Sequence, residues 1–165
     1  MCKKYINATA ACFKSVTIEN DKIISFNAPF NSIQSTTNAG LLAVDNFSVI
    51  TQIDFLGTND KTHANLNPLV QRKTIDFIIR LTKCNKSEEK RLGFDLDNFS
   101  IDLEEMSKRG QIENACFDFM NYTRITNIDQ LDLPGGAGKY VIKVLVKDSE
   151  EPTYTIQSMT SLTIL

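Results

Sequence analysis

From Thr74 to Thr82, apolar and polar side chains take turns along the chain. A two-residue repeat puts Ile75, Phe77, Ile79 and Leu81 on one side of an extended backbone and Thr74, Asp76, Arg80 and Thr82 on the other. Ile78 is the exception. The repeat recurs at Tyr140, Ile142, Val144 and Val146, with Lys143 and Lys147 on the opposite face. It recurs again at Phe47, Val49, Ile53 and Phe55, and runs through Tyr154, Ile156, Leu162 and Ile164. Such stripes fit strands with one buried face. A helix, with its period of 3.6, would scatter them around its circumference.

The segments between the stripes carry turn chemistry. Residues 16–20 and 22–26 flank an Asn20-Asp21 step, a hairpin turn. Residues 94–96 and 99–103 read as two short strands, or as one strand interrupted at Asp97-Asn98. Residues 112–122 make a further strand, for about eight in all. Breakers separate these runs, among them Pro29-Phe30-Asn31, Asn38-Ala39-Gly40, Gly135-Gly136-Ala137-Gly138 and Glu151-Pro152. All four prolines are expected in connections. Asp102, Glu105 and Gly110 fit the cap, capping-box partner and stop of at most one short helix near 102–109. No other segment is long enough to cross between parallel strands. The expected fold is therefore all-β: one domain over residues 1–165, an antiparallel two-sheet sandwich.

The 165 residues suffice for a real core, and 42% hydrophobic with 23% charged residues is globular composition. The net charge of −2 disfavours a generally basic nucleic-acid binder. The charge is uneven: the segment 72–91 is net basic. No stretch of about 18 apolar residues predicts a membrane-spanning helix. After the charged start Lys3-Lys4, residues 8–13 are too short for the apolar part of a signal peptide. Cys2, Cys12, Cys84 and Cys116 have no short spacing, so neither a zinc site nor a redox pair is indicated. Free thiols in a cytoplasmic protein are the expectation.

Motifs of known chemistry fail on their details. Gly135-Gly136-Ala137-Gly138-Lys139-Tyr140 lacks the spacing, the hydroxyl after lysine and the following helix of a phosphate-binding loop. A tight turn with positive φ is the simpler reading. Asp95-Leu96-Asp97-Asn98-Phe99-Ser100 lacks the glycine and terminal glutamate of a calcium loop. A looser metal site would draw Asp95, Asp97 and Asp102 together at one end of the sandwich. The lone His63 has no partner at a catalytic or metal-ligand spacing. No enzyme motif is legible, and no cofactor is expected.

Arg72, Lys73, Arg80, Lys83 and Lys86 are the candidates for partner binding. An anionic protein face suits them, and nucleic acid is the less favoured alternative. The loop 58–68 is a second recognition candidate.

The order of elements carries a resemblance. An opening strand leads into the hairpin Cys12-Phe13-Lys14-Ser15-Val16-Thr17-Ile18-Glu19-Asn20-Asp21-Lys22-Ile23-Ile24. Leu131-Asp132-Leu133-Pro134 with its glycines then precedes Lys139-Tyr140, an alternating strand and a final strand. This resembles small uncharacterised bacterial and phage β-sandwich proteins. The resemblance implies a C2-like or immunoglobulin-like sandwich and no activity. The functional expectation is a non-catalytic intracellular module that binds a protein partner or its own copies through a sheet edge or loops. The alternative is calcium or small-ligand binding by the loop carboxylates, or nucleic-acid binding by 72–91.

Overall fold

The computed structural model describes residues 6–38, 41–56, 74–84, 93–102, 119–133, 135–148 and 151–165. They form β1 (Ile6–Glu19), β2 (Lys22–Phe30), β3 (Ser32–Ile33), β4 (Ser35–Asn38), β5 (Leu41–Val44) and β6 (Phe47–Leu56). The later elements are β7 (Thr74–Lys83), β8 (Gly93–Asp102), β9 (Phe119–Ile128), β10 (Leu131–Asp132), β11 (Gly138–Asp148) and β12 (Thr155–Ile164).

The all-β expectation holds among the described residues. The expectation of about eight strands in two antiparallel sheets gives way to twelve strands in three. A four-stranded sheet runs β2-β1-β6-β9, a five-stranded sheet β3-β12-β11-β7-β8, and a small one β10-β5-β4. β3, β4, β5 and β10 are two to four residues long, too short to display an alternation. One short pairing, β12 with β3, is parallel; the rest are antiparallel. Asp102 ends β8, and the rest of the helix expected near 102–109 lies outside the described residues, as does loop 58–68. Of the strand expected at 112–122, residues 119–122 belong to β9.

Three of the four predicted stripes meet whole in one core, and of the fourth only Leu162 and Ile164 join it, Tyr154 and Ile156 staying outside. Ile75, Phe77, Ile79 and Leu81 of β7 pack with Tyr140, Ile142, Val144 and Val146 of β11. Phe47, Val49, Ile53 and Phe55 of β6 face them from the other large sheet. Ile6, Ala8, Ala10 and Cys12 of β1 join the same cluster. Phe77 and Phe99 stack with centroids 5.1 Å apart. The two large sheets are joined at one side by β12, where Gln157 Nε2 donates to the Ile6 carbonyl at 2.6 Å and Thr160 Oγ1 to that of Ala10 at 2.8 Å. Those carbonyls belong to the part of β1 that pairs with β6 alone, because pairing with β2 starts at Cys12. The side chains thus satisfy acceptors that an unpaired sheet edge would leave open.

The hairpin turn falls where expected: Asn20 and Asp21 take φ of 50° and 59°, the primed-turn geometry that matches strand twist. Pro29, expected in a connection, lies within β2. β2 ends its sheet, the place where a sheet tolerates a proline.

Two β-bulges in the five-stranded sheet decide which of its side chains face out. Between Val144 and Leu145 the register with β12 slips, pairing Val144 with Ser158 and Leu145 with Ile156. Gln157 is the extra residue. The slip turns Ile156 from the predicted core stripe to the outer face, where it is 45% exposed. The second bulge lies between Ile79 and Arg80: Ile79 pairs with Asp97 and Arg80 with Asp95, leaving Leu96 over.

Candidate functional site

The outer face of the five-stranded sheet carries a groove of about 390 Å³ across β8, β7, β11 and β12. Gly93 and Asp95 of edge strand β8 line it, with Arg80 and Thr82 of β7. Lys143 and Leu145 of β11 and Ile156 of β12 complete the opposite wall. Leu145 is buried and Ile156 is not, so the apolar floor reaches the surface on the β12 side. Met159, opposite Lys143, extends it at 64% exposure.

The polar side of the groove is basic. Arg80 Nε donates to Asp95 Oδ1 at 2.6 Å and its Nη2 to Oδ2 at 3.3 Å, a forked pair on the surface. The bond from Asp95 holds the Arg80 pKa above its ordinary value. A pair this exposed contributes less than about 1 kcal/mol. Lys143 has no ion pair among the described residues. Lys139 lies on the same outer row of β11, four residues away. Further along this face Lys147 approaches Asp76 at 3.9 Å and covers the Tyr154 ring at 5.1 Å. Burial, then the charges of Asp76 and Asp95, raise the Tyr154 pKa.

Of the predicted partner-binding cations, only Arg80 is placed in the groove. Lys83 turns to the glycine loop instead. Its Nζ donates to the Gly135 carbonyl and lies 5.8 Å from the Tyr140 ring centre. Tyr140 Oη donates to the Gly136 carbonyl at 2.6 Å. Gly136 and Gly138 have φ of 72° and 134°, the conformations that glycine adopts freely, so the positive-φ turn is as expected. Arg72, Lys73 and Lys86 lie outside the described residues.

The three candidate metal ligands are not brought together. In a regular strand Asp95 and Asp97 would share a face. The bulge at Leu96 separates them: Asp95 turns outward to Arg80, and Asp97 turns inward toward the other sheet. There Asp97 accepts from Arg124 Nε at 2.9 Å and from Thr126 Oγ1 at 2.7 Å, both on β9. Burial pushes the Asp97 carboxyl up, but the bonds from Arg124 and Thr126 outweigh it and hold the pKa below its ordinary value. Arg124 also covers the Phe99 ring at 4.8 Å. Asp102 stands at the far end of β8, paired in register with Thr74. No three metal-ligating side chains cluster among the described residues. Cys12 and Cys84 are free thiols.

Sequence reasoning missed Lys143, Leu145 and Ile156 as site residues. Their signal was the outward row Lys139, Lys143 and Lys147, spaced four residues apart on a strand. Read alone, the row marks only a solvated face; the bulge that turns Ile156 beside it leaves no mark in the stripe.

No protein family model and no curated protein matches this chain. Among solved structures it is similar to the CooA pilin subunit from enterotoxigenic Escherichia coli. That similarity has a TM-score of 0.39 and 11% identity, over 97% of each chain. No helix among the described residues is long and apolar enough to cross a membrane.

Proposed function

We propose that this chain is a non-catalytic protein-binding module of bacterial or phage origin, working in the cytoplasm. It takes its partner on the outer face of the five-stranded sheet, beside edge strand β8. The two large sheets act as a sandwich of C2-like or immunoglobulin-like kind that presents this face. The observation that carries the reading is the groove itself. It sets exposed apolar surface, Ile156 with Met159 beyond it, beside Lys143, a cation with no ion pair among the described residues. Apolar surface beside a fixed charge is what a protein interface uses for affinity and orientation. The titratable pair in the groove is exposed and already ion-paired, which suits recognition better than proton transfer. The partner segment therefore combines apolar side chains with a carboxylate.

Edge strand β2 of the four-stranded sheet is built against pairing. β2 carries Pro29, a bulge that leaves Ile24 over, and Ala28 at a φ of 51°. These are devices that stop a foreign strand from adding to an edge.

The test is affinity capture of the tagged chain from its native host, beside the variants Lys143→Glu and Ile156→Asp. A stoichiometric protein that is lost with both variants supports the proposal. Recovery of the chain alone, or of a partner indifferent to both, removes it. Lys83 is unsuitable for this experiment because it holds the glycine turn.

A further inference from the structure

We infer that the segment received by the groove is the β1–β2 hairpin tip of a second copy of this chain. This rests on the groove being a protein-binding surface and names its occupant.

The hairpin outruns the body. β6 pairs with β1 only as far as Phe13, and beyond it β1 and β2 continue to the turn as a two-stranded ribbon. Six residue steps from Phe13 to Glu19 make a projection of about 20 Å. Burial alternates strictly up to Cys12 and then stops; past it no side chain of the ribbon is buried. A ribbon of two strands gains little stability on its own.

Its tip is nevertheless apolar. Ile18 and Ile24 are 52% and 57% exposed. Ile18 pairs with Ile23 across the ribbon, and Ile24 is the bulged residue with no partner opposite. Among the described residues, the exposed large apolar side chains on the strands thus fall into two groups: Ile18 and Ile24 at the tip, Ile156 and Met159 at the groove.

Charge and size agree with joining the two. The turn Glu19-Asn20-Asp21-Lys22 places Asp21 at the apex beside Glu19, with Lys22 paired in register to Glu19. The groove offers Arg80 and Lys143 against Asp95. Carboxylates leading an apolar tip match cations flanking an apolar floor. The groove spans three interstrand gaps, about 14 Å, and a two-stranded ribbon with its side chains is about 10 Å wide.

Tip and groove are different surfaces of the chain, so the contact is heterologous, and each copy added in an open series leaves one tip and one groove free. A single hairpin buries less than a standard interface, so association is weak and dependent on concentration.

Sedimentation velocity from about 1 μM to about 1 mM tests this, the range in which so small a contact is half-formed. The expected result is a mass that climbs beyond two chains. The tip variant Ile18→Thr/Ile24→Thr and the groove variant Lys143→Glu each stay near 18.5 kDa. All three substitutions lie on exposed or half-exposed positions, and circular dichroism checks that the fold is kept. Mixed in equal amounts, the tip and groove variants form a dimer that grows no further, because the intact groove of one receives the intact tip of the other. A wild-type chain monomeric throughout, a tip variant that associates like wild type, or a mixture that forms no dimer overturns the inference. If Lys143→Glu then still abolishes capture of a host protein, the groove remains a binding site and only the second copy is excluded as its occupant.

Discussion

Asp97 reaches from β8 across to β9, so replacing it tests how firmly the open side of the fold is held. Asp97→Asn keeps the size of the side chain and an acceptor for the Thr126 hydroxyl, but removes the charge that Arg124 grips at 2.9 Å. A hydrogen bond to a charged group contributes about 1.5–3 kcal/mol. Arg124 is 38% exposed, so water screens part of its charge. The expected loss is therefore about 1.5 kcal/mol, at the low end of that range and well short of the about 3–5 kcal/mol for breaking a fully buried pair. The pH dependence follows from the lowered pKa. The folded state holds the carboxylate ionised further into acid than the unfolded chain does. Its contribution is complete above the unfolded pKa, which lies near the ordinary 3.8, and is lost as pH falls through the lower folded value. Urea unfolding followed by circular dichroism reads the difference. Wild type exceeds the variant by a constant margin from about pH 5 to about pH 8, and the margin narrows on acidification below about pH 4. A margin under about 0.5 kcal/mol at neutral pH, the scatter of ordinary surface changes, would refute the reasoning. So would a full margin that persists at the acid end.

Phe77→Ala removes a fully buried ring stacked on Phe99 and costs about 3–5 kcal/mol in the same unfolding assay; a loss below about 2 kcal/mol would mean the site collapses around the gap. Gly136→Ala has open space for its methyl group but must hold a φ of 72°, so it destabilises by about 1–2 kcal/mol from backbone strain alone. A neutral result would show that the turn relaxes. Burial pushes the Cys12 thiol up to about 12, so at pH 8 a soluble alkylating reagent modifies Cys84 in the native protein and Cys12 only after unfolding. Peptide mass mapping separates the two. The same shift makes stability decline from about pH 9 toward pH 12, as the unfolded thiol ionises while the folded one does not.

The legible part of this fold is the part governed by a strict period. Ile75, Phe77, Ile79 and Leu81 are buried as their spacing requires, as are the β11 and β6 stripes. Asn20-Asp21 makes its turn because few residue pairs tolerate two positive φ values in succession. The candidate site was legible only in part. Arg80 faces outward as its alternation predicts, whereas Lys83, three residues later at the end of the strand, is drawn to the Gly135 carbonyl by a turn formed more than fifty residues away in the chain.

By itself the sequence determined an all-β chain and the buried stripes of β6, β7 and β11, because burial on one face of an extended backbone is a local, period-two property. Only the tertiary structure decided what the outer faces do. One residue left over at Gln157 turns Ile156 out of the core and into the groove, and one left over at Leu96 sends Asp95 and Asp97 to opposite sides of the same strand. A bulge arises from the register between two strands, and register is a property of the pair.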